Sequence, residues 1–349
     1  MKIQIHLSGP KTLNRFTEGI LRDGLQRCGC TVVSAESEAN FGIIQIHGSP
    51  AAREADLRII NQLPKTVSQL SASIILLHRP DEIRDSLTPL RPALEALPAT
   101  TGLAMLGDLL IDDSFYLYPG LVRRAIPHGF FNIEKDPLSH PVIIGSHTTW
   151  GEMRCLKRTL LLLQEIANVG PNNHIIGYLG GAPADALSID SVTRLLQELK
   201  LTNVFSVKAL NVKNWREEVA AAPANTIFLN AVDNPPDFDV TFNVQLYHYR
   251  ERIRMGESSG SLHASCGIPV IFEMNGSERL ENLQVVKVPY ADPDDANSAD
   301  MNAAARQIVN LLDSEAYRLM LVHNRKMMVK WNNQSVAQLY VDFLEGLSS

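Results

Sequence analysis

The small-residue run Gly256-Glu257-Ser258-Ser259-Gly260-Ser261-Leu262 precedes His263-Ala264-Ser265-Cys266 and the stretch Gly267-Ile268-Pro269-Val270-Ile271. It reads as loop, helix and strand. Small side chains let a backbone approach a bulky anion, and the amides and positive dipole end of a helix start suit a diphosphate. Glu257 is then placed beside the nucleotide, where a carboxylate accepts two hydrogen bonds from vicinal ribose hydroxyls. The same residues fit a plainer arrangement, in which Ser258 or Ser259 caps a helix and Gly267-Ile268-Pro269 is an ordinary turn. A second loop, Ser146-His147-Thr148-Thr149-Trp150-Gly151, follows the strand Val142 to Gly145 and leads into a helix carrying Arg154, Lys157 and Arg158. Leu156, Leu160, Leu163 and Ala167 are spaced by four, three and four, so that row faces the core and Lys157 and Arg158 lie on its flanks. Near a diphosphate this basic pair neutralises the charge that grows as the phosphate leaves; elsewhere it is a solvated pair.

Two more loops carry polar groups after strands. Ser8-Gly9-Pro10-Lys11-Thr12 follows the first strand and is also explained as a strand-to-helix turn. His78-Arg79-Pro80-Asp81-Glu82 follows the apolar strand Ser73 to Leu77, and a histidine there is otherwise a hydrogen-bonding residue at a strand end. His6, His47, His78, His128, His147 and His248 are too dispersed for metal-ligand spacing, so no structural metal is expected. A glycine-rich dinucleotide fingerprint, a P-loop and a G-x-S-x-G elbow are all absent from the sequence, against a dehydrogenase, a P-loop NTPase and a hydrolase. The run Arg250-Glu251-Arg252-Ile253-Arg254 reads as a solvated face or a contact to an anionic ligand.

The elements that must position these loops follow from the apolar pattern. A chain of 349 residues makes about two domains. Its net charge of −6 argues against nucleic acid or a uniformly anionic surface as a general partner, so any basic site is local. Apolar runs stay far short of the roughly 18 residues of a membrane span, which leaves room only for peripheral membrane contact. Met1 to Leu7 reads as a first strand rather than a secretory signal, and the expected location is the cytoplasm. Four cysteines make no disulfide framework.

Short apolar runs bounded by Gly, Pro or Ser alternate with segments of helical period, which predicts an α/β class with doubly wound parallel sheets. Strands are predicted at Lys2 to Leu7, Thr31 to Val33, Ile43 to His47, Ser73 to His78, Gly102 to Leu106 and Phe115 to Tyr118. A second series runs through Pro141 to Gly145, His174 to Leu179, Asn203 to Val207, Thr226 to Leu229, Val240 to Leu246, Ile268 to Phe272 and Val285 to Val288. Leu13, Phe16, Ile20 and Gly24 set one face of a helix against the first sheet. The aperiodic segment Ile126 to Pro137 marks a connection, placing one domain at 1–138, a second at 139–330, and a last helix at 331–349.

Together these pieces resemble the GT-B superfamily of nucleotide-sugar glycosyltransferases, specifically the retaining group called family 4. The resemblance covers roughly residues 126–290: Ile126-Pro127-His128-Gly129 looks like the linker motif, Lys157-Arg158 like the basic pair, and the Gly256 to Ile271 stretch like the donor-site loop, helix and strand. It implies two Rossmann-like domains facing a cleft, a C-terminal helix crossing back to the first, a nucleotide-diphosphate sugar as donor substrate, and no cofactor or metal. It further implies that Lys157 and Arg158 act on the leaving diphosphate and that Gly145, Glu257, Ser258, Ser259, Gly260 and Ser261 hold the donor. Gly9 then lies by the donor phosphates at the acceptor side, and His78 against the transferred sugar. The acceptor, whether a sugar, a lipid-linked group or a protein, is not specified; surface-polysaccharide or glycoconjugate synthesis fits the group. The sequence departs from the pattern where many members carry a glutamate pair, since Arg254 and Leu262 stand there, and where an arginine often follows the first glycine, since Ser146 follows Gly145. Those departures leave open an inactive GT-B-like scaffold, or a sugar-nucleotide epimerase, beside the transferase.

Overall fold

A computed structural model describes residues 1–8, 11–34, 38–48, 52–77, 89–105, 120–127, 129, 141–150, 156–170, 175–183, 188–209, 221–223, 225–229, 266–272, 283–288 and 300–349. The chain divides into two compact units, Met1–Phe131 with Lys330–Ser349, and Asn132–Val329.

The first unit holds strands β1 (Lys2–Leu7), β2 (Thr31–Val33), β3 (Phe41–Ile46), β4 (Ala72–Leu77), β5 (Thr101–Met105) and β6 (Val122–Ala125). All pair in parallel, in the order β2-β1-β3-β4-β5-β6. A parallel sheet covered on both faces needs strands that are apolar throughout. β4 meets that demand but for Ser73, whose hydroxyl pairs with that of Thr101 at 3.1 Å, and every residue from Ala72 to Leu77 is buried. Around the sheet lie helices α1 (Lys11–Arg27), α2 (Arg53–Val67) and α3 (Leu90–Glu95). The edge strand β6 was not legible as a strand: its residues, Val-Arg-Arg-Ala, are exposed or half-buried and form no apolar run.

The second unit begins with β7 (Ile143–Trp150), followed by α4 (Leu156–Val169), β8 (Gly177–Pro183), α5 (Ile189–Glu198), β9 (Phe205–Ala209), β10 (Thr226–Leu229), β11 (Ile268–Phe272) and β12 (Val286–Val288), then α6 (Met301–Asn310) and α7 (Ser314–Met328). Its order, β12-β11-β10-β7-β8-β9, is again all parallel. Read from β9, the first three strands lie in reverse chain order and the last three in forward order, which is the doubly wound dinucleotide-fold arrangement. Ser146 to Trp150, predicted as a loop, instead continue β7. The reason is lateral: β8 runs alongside as far as the Trp150 and Pro183 pair, so pairing overrides a polar local sequence. The strands predicted at 115–118 and 240–246 lie outside the described residues.

Helix starts in this half are written in the sequence as caps. Ser188 accepts from the Ser191 amide at 3.2 Å, Asp300 from the Ala303 amide at 2.9 Å, and Asp313 from the Glu315 amide at 2.8 Å. The core gathers Ile144, Leu163, Ile166, Leu179, Ile227 and Ile308. Tyr317, 1% exposed, spans it and donates its hydroxyl to the Thr226 carbonyl at 2.9 Å. Burial pushes that phenol far above its ordinary range.

A last helix, α8 (Asn333–Ser348), belongs to the first unit, where it packs on α1, β4 and β5. Two glycines permit this. A Cβ on Gly24 of α1 would stand 2.8 Å from Ala337 Cβ, and one on Gly102 of β5 would stand 2.9 Å from Leu347 Cδ1. Asn332 caps α8 by accepting from the Ser335 amide at 2.8 Å, and Asn333 donates to the Asp23 carboxylate. Among the described residues, no helix is long and apolar enough to cross a membrane.

Candidate functional site

Open parallel sheets bind ligands outside the carboxyl ends of their strands, at the point where the winding reverses. In the second unit that point lies between β7 and β10. From β7 the chain winds through α4 to β8 and β9, whereas β10 begins the winding toward β11 and β12 on the other side. α4 starts after the short link 151–155, so its first turn, Leu156, Lys157 and Arg158, is placed at the carboxyl side of β7. A helix start there presents free amides and the positive dipole end to an anion. The placement follows from the core row: Leu156, Leu160 and Leu163 are buried, which orients α4 on the sheet.

Ser146 and Leu229 form the last described rung between β7 and β10. Ser146 is fully buried, and its hydroxyl has no hydrogen-bond partner among the described residues. Gly145, one residue earlier, is required by packing. A Cβ there would meet Tyr178 Cζ and Oη at 2.8 Å and Thr226 Cγ2 at 3.0 Å, so any side chain would force the neighbouring strands to yield.

In the first unit the winding reverses between β1 and β3, and the two chain exits are tied together by buried polar groups. Ser8 donates its hydroxyl to the Gln45 carbonyl at 2.9 Å and accepts from the His47 amide at 2.8 Å. Gln45 returns its side-chain amide to the Ser8 carbonyl at 2.9 Å. Asp56, on the first turn of α2 and 0% exposed, reaches back with both oxygens, accepting from the His47 and Gly48 amides at 2.9 Å each. Gly48 has φ +82, a left-handed conformation that glycine adopts without penalty. The clamp therefore shapes the backbone at the carboxyl edge of β3, where a ligand of this sheet would be met.

Of the residues predicted for the site, Gly145 is on β7, and Lys157 and Arg158 are in the first turn of α4, their side chains being outside the described residues. Gly9, His78, Glu257, Ser258, Ser259, Gly260 and Ser261 lie outside the described residues. In chain position Gly9 follows the clamp residue Ser8, and His78 follows the end of β4. Gln45 and Asp56 were missed. Their signal was present: Gln45 interrupts the apolar strand Phe41–Ile46, and Asp56 occupies the same helical row as Ile60, Leu63 and Val67, spaced by four, three and four. A charged residue on the buried face of a helix is retained only with partners. Among the described residues, no group of three His, Cys, Asp or Glu side chains gathers as a metal site requires.

No family model matches this sequence, and no curated protein matches it. Solved structures do resemble the fold. An alpha-glucosyltransferase (AGT) in complex with UDP superposes with a TM-score of 0.60 at 10% identity, over 99% of this chain and 99% of that one. Anabaena HepE, solved with UDP and glucose, gives a TM-score of 0.55 at 11% identity over 99% and 100%. A trehalose-6-phosphate protein from E. coli bound with UDP-2-fluoro glucose gives 0.53 at 11% identity over 99% of both chains. The chain has the GT-B fold. At such identity the likeness is one of fold, and because it extends over nearly the whole chain, the GT-B architecture takes in both doubly wound sheets and α8.

Proposed function

We propose that this GT-B protein is a glycosyltransferase that moves a sugar from a nucleoside-diphosphate donor to an acceptor hydroxyl. The observation that carries the reading is the first turn of α4: a helix start bearing Lys157 and Arg158, placed at the winding reversal of a sheet in dinucleotide-fold order. The three fold relatives described above were each solved with UDP or a UDP-sugar, which makes uridine the first base to try.

In this reading the α4 amides and the Lys157 and Arg158 cations stabilise the charge that grows on the diphosphate as the bond from the anomeric carbon to the phosphate oxygen breaks. The acceptor oxygen forms the new bond on the face of that carbon from which the diphosphate departs, which retains configuration, and its proton passes to the leaving phosphate oxygen; the two cations and the α4 amides take the place of a metal. Glu257 holds the ribose hydroxyls, the amides from Ser258 to Ser261 hold the diphosphate together with Gly145 and Gly9, and His78 bonds a sugar hydroxyl. The acceptor belongs to surface-polysaccharide or glycoconjugate synthesis in the cytoplasm.

Titration calorimetry with UDP, GDP and the matching nucleosides tests this. Binding of one diphosphate, weakened at least tenfold by Lys157→Ala while its nucleoside is unaffected, is the expected result. Absence of binding by every nucleoside diphosphate refutes it, and would favour a scaffold that kept the fold; the serine at position 146, where an arginine is common, is the feature that favours that second reading. Turnover of a UDP-sugar unchanged by EDTA is expected, and loss of turnover on chelation would remove the metal-free step.

A further inference from the structure

The buried hydroxyl groups of this chain have partners. Ser8 bonds the Gln45 carbonyl and the His47 amide, the Ser73 and Thr101 hydroxyls bond each other at 3.1 Å, and Thr226 and Tyr317 donate to carbonyls at 2.8 and 2.9 Å. Ser146 is different. It is 0% exposed, and its Oγ has no hydrogen-bond partner among the described residues. A buried hydroxyl left alone is unfavourable, and an alanine in its place would carry no such penalty.

Strand pairing fixes where that hydroxyl points. Ser146 forms a rung with Leu179 of β8 on one side and Leu229 of β10 on the other. Side chains of one rung project to one face, and Leu179 and Leu229 belong to the core that Leu156 and Leu160 of α4 share. The Ser146 hydroxyl therefore projects to the face that α4 covers. It does so on the last described rung between β7 and β10, toward the carboxyl edge where α4 begins, whereas Gly145 lies on the other face against Tyr178. An unpaired hydroxyl and the free amides of a helix start thus share one corner of the sheet, and a phosphate oxygen accepts from both kinds of donor.

We propose that Ser146 is a ligand of the donor substrate: its hydroxyl donates to a phosphate oxygen of the nucleoside diphosphate held at the start of α4. The inference rests on the transferase reading, and it changes what the serine at this position means. An arginine there would bring a positive charge. Serine brings a neutral donor and leaves the charge of the diphosphate to Lys157 and Arg158, which already stand in the first turn of α4. One phosphate donor has replaced another, and the site is kept.

Titration calorimetry of the full chain with UDP, and with ADP, GDP and CDP if UDP does not bind, tests this. Ser146→Ala is expected to weaken the diphosphate about tenfold and to leave the matching nucleoside unchanged, since a hydrogen bond to a charged group is lost. Its melting temperature without ligand should hold or rise, because a methyl group replaces an unpaired hydroxyl in an apolar rung. Ser146→Cys fills nearly the same space with a weak donor and should lose affinity as the alanine variant does. If the alanine variant binds as tightly as the wild type, or the cysteine variant keeps full affinity, the inference fails while the transferase reading stands. If the wild type binds no nucleoside diphosphate, both fall. Equal losses for diphosphate and nucleoside, or a lower melting temperature, would assign Ser146 to packing alone and overturn the proposal.

Discussion

Asp56 gives both carboxylate oxygens to two consecutive backbone amides at the exit of β3, and it does so with no exposure to water. Replacing it with alanine strands the Gly48 amide in a buried setting and leaves the His47 amide its bond to the Ser8 hydroxyl alone. Hydrogen bonds to charged groups contribute about 1.5–3 kcal/mol each, and the His47 amide keeps its bond to Ser8, so Asp56→Ala is expected to cost about 2–4 kcal/mol, less than two full bonds, read from the urea midpoint. Asp56→Asn, which keeps one acceptor oxygen, should lose roughly half as much; equal losses would mean that only side-chain volume matters. The cysteines near the start of β2 make a second case. Burial, then the neighbouring Cys30 and Asp342, push the Cys28 thiol up, and burial likewise raises Cys30. Because the thiolate is the reactive form, both should be alkylated by iodoacetamide at pH 8 more slowly than free cysteine. Mass spectrometry peptide by peptide checks this, and urea should abolish the protection.

Helix α8 is the element whose contribution is easiest to isolate. It returns from the end of the chain to bury Val336, Ala337, Tyr340, Phe343 and Leu344 in the first unit, and its approach to α1 depends on the absence of a side chain at Gly24. Gly24→Val must push against the Asn333 carbonyl and Ala337, and overpacking of this kind costs about 1–3 kcal/mol. The expected outcome is a lower melting temperature. Ending the chain at residue 332 should be worse, exposing a continuous apolar face on α1, β4 and β5 and producing aggregates visible by light scattering. A soluble, cooperatively folded truncation would show that the helix is dispensable.

At the scale of the molecule, each unit has its own sheet and its own core, so calorimetry is expected to resolve two unfolding transitions rather than one. A ligand that binds only the native form of one unit raises that unit's transition by mass action. UDP should therefore move one transition, and Lys157→Ala should suppress that movement while leaving the other transition in place. If neither UDP nor any other nucleoside diphosphate shifted a transition, the transferase reading would lose its support; if the protein melted in a single step, the two units would be one cooperative body.

The share of this that was legible without a structure follows the range of the interactions concerned. β1, β2, β10 and β11 have the bounds that the sequence predicts; β10, buried at every residue, shows the local reason, since burial on both faces of a parallel sheet selects each residue in turn. The row Leu156, Leu160, Leu163 likewise placed Lys157 and Arg158 at a helix start. Where a residue's state depends on a partner far along the chain, local pattern failed. Ser146 to Trp150 are strand because β8 lies beside them, Asp56 is buried because the amides of His47 and Gly48 turn toward it, and β6 exists because β5 offers it an edge. Periodicity and composition alone determined that two series of buried parallel strands alternate with helices. The order of those strands, and with it the position of both winding reversals, was decided only in the tertiary structure, since hydrogen bonds between segments distant in sequence leave no mark on the spacing of apolar residues within either one.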